Sequence, residues 1–167
     1  MMLPIKQTAH HIINTTGYNI HQLKSQILDL IHDGDKSISL TKINVISFGF
    51  KYGIPNDADL VVDMRFLSNP YFIPALKNHD GESDAVKQFV LSNNETKLFL
   101  EKYLNLLDYL IPLYKRENKA YLTFAIGCTG GRHRSVAIAR RIFEHLNKKG
   151  LNPELIHRDI DRDIKQT

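Results

Sequence analysis

The sequence predicts a single α/β domain in which a largely parallel central sheet is flanked by helices. Short apolar runs rich in β-branched residues alternate along the chain with segments whose apolar residues recur at helical spacing. Glycine and proline turn signals separate these segments, and a length of 167 residues suits one hydrophobic core. Ligands bind such sheets at the carboxyl ends of the strands, so we expect the ligand loops to follow the strands.

The first half of the chain is expected to hold one helix and two strands. Residues 1–18 have the character of an irregular lead-in, which leaves residues 19–167 for the domain. A helix is predicted from Asn19 to about His32, because a capping residue precedes apolar residues at helical spacing. Strands are predicted at Leu40–Ser47, which is rich in β-branched residues, and at Leu60–Arg65, a short run typical of a buried strand.

The second half is expected to add three helices and two strands. A short helix is predicted from Ser83 or Asp84 to about Leu91, and a longer one from Asn93 or Asn94 to Lys115. Pro112 is expected to kink or shorten the longer helix, because proline lacks the N–H that an internal turn needs. The remaining elements are a strand at 120–126, a helix from near His133 to about Lys149, and a strand near Glu154–His157.

The composition is that of an ordinary soluble protein, with 43% apolar and 24% charged residues. A single cysteine excludes an internal disulfide framework and suits the reducing cytosol. No apolar run approaches the roughly 20 residues that a membrane helix needs. The histidines show no spacing typical of a zinc site. We therefore expect a cytoplasmic protein without a membrane segment or a bound metal.

The most informative stretch is Cys128–Ser135, which follows the third long strand and which we name the anion loop. The loop lies between a strand and the start of a helix. In this arrangement the backbone N–H groups of the loop and the partial positive charge of the helix end are directed at a bound anion. Arg134 can add a bidentate fork to phosphate oxygens. The sequence therefore predicts a phosphate site formed by the residues Cys128, Thr129, Gly130, Gly131, Arg132, His133, Arg134 and Ser135.

Two further loops, Gly49–Gly53 and Arg65–Pro70, leave the carboxyl ends of predicted strands and carry polar or cationic residues. Convergence of these cations with the anion loop would be costly without a polyanionic ligand, because like charges repel and lose hydration. Each cation also has an alternative to ligand binding. Arg65 can form an ion pair with Asp63 or Asp59, and Lys51 can lie at a solvated loop tip. The residues added to the predicted ligand site are Lys51, Arg65, Asn69 and Tyr71.

The spacing of Cys128 and Arg134 also resembles the phosphate loop of cysteine-dependent phosphatases. A thiolate stabilised by the loop N–H groups would be a nucleophile in such an enzyme. Gly127 stands where the tyrosine-phosphatase class has histidine. No aspartate is visibly placed as a general acid, and Asp57, Asp59, Asp63 and Asp80 stay open as candidates. The alternative role for Cys128 is that of a small buried residue beneath the loop. We therefore predict no catalytic residue and no enzyme, with the phosphatase as the main alternative.

A basic segment runs from Arg132 to Lys149, where six lysines and arginines face a single acid, Glu144, for a balance of +5. Basic surfaces of this kind bind the phosphates of nucleic acids. The alternative is a solvated helix face without a partner. The predicted RNA-binding residues are Arg140, Arg141, Lys148 and Lys149.

Taken together, several segments resemble the C-terminal domain of the RapZ family of RNase adapter proteins and its YvcJ-type relatives. The likeness extends from about Ile12 to the C-terminus, which is nearly the whole chain. The segments that carry it are Ser47-Phe-Gly-Phe-Lys-Tyr-Gly-Ile-Pro55, Asp57-Ala-Asp59, Asp63-Met-Arg-Phe-Leu67, Asn69-Pro70 and Ala125-Ile-Gly-Cys-Thr-Gly-Gly-Arg-His-Arg-Ser-Val136.

The resemblance implies a non-enzymatic sensor that is part of a larger, oligomeric adapter. In enterobacterial members this domain binds glucosamine-6-phosphate and small regulatory RNA, and presents the RNA to the endoribonuclease RNase E. Family members also carry an N-terminal P-loop domain for ATP or GTP, which is absent from this chain, so no cofactor is expected here. The positions that match the family's ligand site are Lys51, Arg65, Asn69, Thr129, Gly130 and Arg134.

Two positions depart from the enterobacterial pattern. Tyr71 stands where those members have a histidine in the sugar-phosphate pocket, which leaves the sugar open. The tail Arg158–Lys165 balances three cations with three aspartates, where those members have a basic RNA-binding end. A third interpretation is therefore a phosphometabolite-binding domain that controls a protein partner without RNA.

Overall fold

A computed structural model describes residues 12–16, 18, 23, 27, 41–117 and 119–162. Contacts divide the chain into two compact units, Met1–Leu40 and Thr41–Thr167, and every element given below belongs to the second. The helix predicted from Asn19 to His32 and most of the predicted lead-in lie outside the described residues.

The second unit is built on one four-stranded sheet in which every pairing is parallel. The two central strands are apolar and buried on both sides, as is usual for parallel sheets. The prediction of an α/β fold with a largely parallel sheet is confirmed. In the spatial order β2-β3-β1-β4, the strands are β2 (Leu60–Asp63), β3 (Tyr121–Cys128), β1 (Lys42–Gly49) and β4 (Glu154–His157).

The two central strands run further than predicted, because two glycines lie within the sheet. The prediction treated them as loop residues, whereas Gly49 pairs with Cys128 and Gly127 pairs with Phe48. A Cβ atom at Gly127 would lie 2.5 Å from ring atoms of Phe48 and Phe50. Glycine is therefore needed there for close packing, and its presence does not end the strand.

The second strand ends earlier than predicted, at Asp63 instead of Arg65. The carboxylate of Asp63 accepts a hydrogen bond from the Arg65 backbone N–H at 2.9 Å. Such a contact two residues along the chain turns the backbone and competes with strand pairing. The turn directs the chain away from the sheet at its carboxyl edge.

Three helices lie in the described part of this unit: α1 (Asp84–Ser92), α2 (Asn94–Arg116) and α3 (Arg134–Lys148). The side chain of Asn93 accepts a hydrogen bond from the Glu95 N–H, which caps α2 as predicted. The helix continues past Pro112, so the proline does not shorten it. Pro112 is exposed and lies in the last turns, where the buried residues Leu107 and Ile111 hold the helix in place.

The core lies between the sheet and α3, which packs on β1, β3 and β4. The helices α1 and α2 extend this layer, because α1 contacts both α3 and α2. No helix in the described ranges is both long and apolar enough to cross a membrane. The largest fully buried side chains include Phe48, Phe124, Met64, Leu107, Ile138 and Ile142.

Candidate functional site

The anion loop meets the two neighbouring loops at the carboxyl edge of the sheet. The backbone N–H of Lys51 donates to the carbonyl oxygen of Thr129 at 3.1 Å. The N–H of Met64, which begins the loop after β2, donates to the carbonyl oxygen of Gly127 at 2.7 Å. The structure thus joins the three segments that the sequence singled out.

Contact between two glycines sets the course of the anion loop. Gly131 has a φ of +77°, which side-chain-bearing residues rarely adopt, and a Cβ atom there would lie 2.6 Å from the Gly49 nitrogen. A Cβ atom at Gly49 would in turn lie 2.6 Å from the carbonyl carbon of Gly130. The loop backbone therefore packs directly on the end of β1.

Arg134 is the first residue of α3, and its side chain is buried, with 4% of the residue exposed. Its Nη1 atom donates to the carbonyl oxygens of Arg65 at 3.1 Å and Leu67 at 2.9 Å. Its Nη2 atom donates to Thr129 Oγ1 at 3.2 Å, while Nε has no hydrogen-bond partner among the described residues. The edge formed by Nε and Nη2 thus retains donor capacity for a ligand.

This buried guanidinium is electrostatically incomplete. Burial lowers the pKa of Arg134, although arginine keeps its proton in proteins. Within the described ranges, no carboxylate forms a salt bridge with Arg134. The Asp63 carboxylate stabilises this charge only from beyond salt-bridge distance, so the arrangement favours an anionic ligand.

Cys128 lies beneath the anion loop and is buried. Its Sγ atom is 3.1 Å from Ser135 Oγ, so thiol and hydroxyl share a hydrogen bond. Buried thiols usually pack as small apolar groups, whereas reactive thiols are partly exposed and lie in electropositive surroundings. The geometry permits both a packing role and a nucleophilic one.

The structure supplies little support for a general acid beside Cys128. Asp59 accepts from the Thr123 N–H and pairs with Lys119, and Asp80 accepts from two N–H groups at the start of α1. Asp63 is paired with Arg65. In the parts of the chain that the structure describes, there is also no group of three histidine, cysteine or acidic residues that could hold a metal ion.

Arg65 forms the ion pair that the sequence offered as an alternative to ligand binding. Its guanidinium donates three hydrogen bonds to Asp63, the shortest at 2.6 Å, and lies 4.3 Å from the centre of the Phe50 ring. The pKa of Asp63 is lowered, chiefly by these hydrogen bonds. Arg65 is half exposed at the mouth of the site, so an incoming anion would compete with Asp63 for it.

Asn69 and Tyr71 lie on the segment that follows β2. The side chain of Asn69 accepts from the Tyr71 N–H at 3.3 Å and caps the short 3-10 helix Pro70–Phe72. The exposed ring of Tyr71 lies 4.8 Å from Lys77 Nζ. The carbonyl oxygen of Lys77 accepts from His133 Nε2 at 3.3 Å. This hydrogen bond connects the segment after β2 to the anion loop.

His133 and Arg132 are directed at backbone carbonyls outside the anion loop. Burial lowers the pKa of His133, so the ring is neutral at neutral pH. Arg132 donates to the carbonyl oxygens of Ile160 at 2.7 Å and Asn78 at 3.2 Å. Two predicted ligand residues thus attach the loop to neighbouring segments.

Gly81 and Asp159 support the anion loop, and neither was predicted from the sequence. Gly81 approaches the His133 carbonyl so closely that no side chain fits, and its N–H donates to the Arg132 carbonyl at 2.8 Å. Asp159 is fully buried and accepts from the Gly49 N–H at 2.8 Å. The alternating aspartates of the tail give no sequence signal that separates Asp159 from exposed Asp161.

The four predicted RNA-binding residues lie on or just after α3 in different environments. Arg140 pairs with Glu82 at 2.8 Å, and Lys149 pairs with Asp108 at 2.7 Å. Arg141 and Lys148 form no ion pair with any described residue. They are seven residues apart, so they lie on the same side of the helix and leave a smaller basic surface than the charge count indicates.

Comparison with known proteins extends these observations. The chain is 61% identical over 166 residues to a nucleotide-binding protein of Desulforapulum autotrophicum, covering 99% of this chain and 57% of that protein. It is 51% identical over 158 residues to a nucleotide-binding protein of Trichlorobacter lovleyi, covering 95% and 55%. The chain thus spans little more than half the length of these relatives. A family model described as the RapZ C-terminal domain matches residues 41–161, which hold the sheet, the anion loop and the buried Asp159, and the chain belongs to that family.

Proposed function

We propose that this domain is a non-enzymatic sensor of a phosphorylated amino sugar, glucosamine-6-phosphate, and that it binds small regulatory RNA within an RNase adapter. In this proposal the anion loop takes the phosphate, and occupancy of the loop reports the level of the metabolite. The chain contributes no cofactor chemistry. Ligand recognition alone carries the signal.

The observation that carries the proposal is the incomplete coordination of Arg134. Its buried guanidinium has one nitrogen without a partner among the described residues and no salt bridge to a described carboxylate. A phosphate on the edge formed by Nε and Nη2 would supply both acceptors and the missing negative charge. The anion loop leads from the end of β3 to the N-terminus of α3, and the first N–H groups and partial positive charge of a helix favour an anion.

Exposed side chains on the loop after β2 support a ligand with a sugar ring. Arg65 and Tyr71 are each about half exposed, and the Tyr71 ring lies 4.8 Å from Lys77 Nζ. An aromatic face can stack on the C–H groups of a pyranose, while Arg65 reaches the phosphate by leaving Asp63. Lys51 is placed on the adjoining loop by its N–H contact with Thr129. Lys51 and Arg65 match positions of the family's ligand site, whereas Tyr71 replaces its histidine.

RNA binding and the adapter role are proposed on the family resemblance and on the basic surface of α3. Arg141 and Lys148 are the residues there without an ion pair in the described ranges. The relatives are named nucleotide-binding proteins, and this chain matches little more than half of their length. We assign ATP or GTP binding to the remaining part of such a protein, RNase E or another protein as partner, and a cytoplasmic homo-oligomer as the working form.

Calorimetry with four compounds tests the proposal. We expect glucosamine-6-phosphate to bind more tightly than glucose-6-phosphate, inorganic phosphate to bind weakly, and glucosamine without phosphate not to bind. Equal affinity for glucosamine and its phosphate would remove the anion loop from recognition. Binding of phosphate but of no amino-sugar phosphate would favour the alternative domain that responds to another phosphometabolite.

A further inference from the structure

The segment Arg158–Arg162, named here the C-terminal segment, packs directly behind the anion loop. The Arg158 N–H donates to the Ser47 carbonyl at 3.0 Å, and Arg158 Nη2 donates to the Gly53 carbonyl at 2.7 Å. The Ile160 carbonyl accepts from Arg132 Nη1 at 2.7 Å. Two of the three loops at the carboxyl edge of the sheet are therefore held by this segment.

Asp159 is at the centre of these contacts. It is the one acidic residue with no exposed surface in the described ranges. Its Oδ2 atom accepts from the Gly49 N–H at 2.8 Å, and its carboxylate pairs with Arg158 at 2.6 Å and Arg162 at 3.1 Å. The two guanidinium groups more than balance its negative charge. The three side chains together therefore carry a net positive charge.

The carboxylate also lies against the glycine contact that shapes the anion loop. A Cβ atom at Gly131 would be 2.9 Å from the Asp159 Cβ and 2.6 Å from the Gly49 nitrogen. Gly49 is thus fixed between Asp159 and the loop, and Gly131 is fixed by both. A shift of the carboxylate would move the N–H of Gly49 and release the loop backbone that packs on it.

Energetic considerations indicate what Asp159 contributes. Burial of a carboxylate costs several kcal/mol of hydration, and apolar packing of the same volume stabilises a fold at least as well. A hydrogen bond from a backbone N–H to a charged acceptor is short and directional, which apolar packing is not. The benefit of a charge at this position is therefore the fixed orientation of the backbone that it holds.

We infer that Asp159 is a positioning residue for the anion loop, acting through Gly49 and Gly131. It keeps the loop in the conformation that accepts phosphate before the ligand arrives, which lowers the entropic cost of binding. This inference rests on the proposed phosphate site. Because coupling is reciprocal, phosphate in the loop should also hold the C-terminal segment in place.

Two substitutions and one matched control test this role with inorganic phosphate as the probe. Asp159→Ala removes every acceptor, whereas Asp159→Asn retains a carbonyl oxygen for the Gly49 N–H. We expect phosphate affinity to fall at least about tenfold in the alanine variant and to be partly rescued in the asparagine variant. Asp161→Ala, two residues away on the surface, should bind phosphate like the wild type.

Amide hydrogen exchange without ligand gives an independent readout. The N–H of Gly49 donates to Asp159 and that of Lys51 donates to Thr129, so both should exchange faster in the Asp159 variants, with Asp161→Ala unchanged. If alanine prevents folding, the asparagine variant decides the question. A folded variant with wild-type affinity and exchange would overturn the inference. Failure of the wild type to bind any phosphate compound would instead overturn the proposed function, and exchange alone would then decide the positioning role.

Discussion

The Nη1 atom of Arg134 lies 2.9 Å from the carbonyl oxygen of Leu67, which ties the first residue of α3 to the loop after β2. The same nitrogen also donates to the Arg65 carbonyl. The Nη1 atom thus holds neighbouring loop backbone, while the buried Nε has no hydrogen-bond partner among the described residues. Substitution of Arg134 must therefore affect both stability and binding.

Arg134→Lys tests whether stability and binding depend on the shape of the guanidinium group and not only on its charge. Lysine keeps the charge but not the planar fork, so it cannot bind two carbonyls and a phosphate together. We expect the affinity for glucosamine-6-phosphate to fall at least about tenfold and the free energy of unfolding to fall by about 1–3 kcal/mol. Calorimetry and urea denaturation measure these quantities. Arg141→Lys on the same helix is the control, and an unchanged affinity in Arg134→Lys would remove this side chain from the site.

Gly131→Ala should destabilise the protein more than Gly150→Ala, although both glycines have a positive φ, +77° and +71°. Backbone strain costs on the order of 1–3 kcal/mol at either position. A Cβ atom at Gly150 has no neighbour within 4 Å, whereas one at Gly131 would meet the backbone of Gly49. We expect an additional loss of at least about 1 kcal/mol at Gly131, by analogy with overpacking.

Ligand binding distinguishes these two variants further. Only Gly131→Ala should lose affinity for glucosamine-6-phosphate, because Gly150 follows α3 at the end remote from the anion loop. Urea denaturation and calorimetry on both variants provide the comparison. Equal losses of stability with intact binding in both would show that the glycine contact does not shape the loop.

Local pattern was enough to predict the sheet, because short apolar runs alternate with segments of helical spacing, which is typical of a parallel sheet. The same reasoning misplaced their ends. Gly49 and Gly127 were treated as loop residues, whereas their lack of a side chain serves packing between neighbouring segments. Glycine is required there because the neighbouring segments approach closely in the folded protein. The sequence around each glycine does not show which segments become neighbours.

In the candidate site too, local sequence predicted some features, whereas others depend on contacts between distant parts of the chain. The spacing of the anion loop predicted that Arg134 lies near the start of a helix. The ion pair of Arg65 was offered only as an alternative to ligand binding, with Asp63 or Asp59 as the partner, and the structure shows the pair with Asp63. The importance of Asp159 could not be predicted, because its burial depends on β4 lying beside β1. Similarly, Arg140 and Lys149 belong to a basic segment in the sequence, but their acidic partners come from distant parts of the chain.

Cys128→Ser should distinguish a sensor from a phosphatase. Serine keeps a hydroxyl that can bond Ser135 but removes the thiolate nucleophile. We expect the affinity for glucosamine-6-phosphate to stay within about threefold of wild type, with no release of phosphate from aryl phosphates by either protein. Colorimetric phosphate release and calorimetry measure these properties. Steady turnover by the wild type that disappears in the serine variant would establish the phosphatase.

His133 should contribute to a loss of stability in mildly acidic solution. Burial lowers its pKa below the ordinary value of 6.5, so the unfolded chain binds the proton more readily than the folded protein does. The contribution to stability is therefore complete above pH 6.5 and declines as the pH falls below it, by at most about 1.4 kcal/mol per pH unit. His133→Gln should flatten the decline measured by urea denaturation, whereas exposed His79→Gln should not. Parallel curves for wild type and His133→Gln would contradict this assignment.

RNA binding should depend on the basic residues of α3 that have no ion pair in the described ranges. Arg141 and Lys148 can approach a phosphate backbone without losing a partner, whereas Arg140 and Lys149 are held by Glu82 and Asp108. Replacing both Arg141 and Lys148 with Gln should therefore weaken binding of a structured small RNA. The slope of log affinity against log salt should decrease in magnitude by about 2, or about one for each lost contact.

The matched variant replaces Arg140 and Lys149 with Gln, which removes the same charge from the same region. Because these residues would have to leave Glu82 and Asp108 to reach RNA, we expect a smaller change in the salt slope and a greater loss of thermal stability. Affinity for glucosamine-6-phosphate should be unchanged in the Arg141 and Lys148 variant, since both residues lie beyond the anion loop. If the wild type does not bind RNA even at low salt, α3 presents only a solvated face, and the domain acts on a protein partner without RNA.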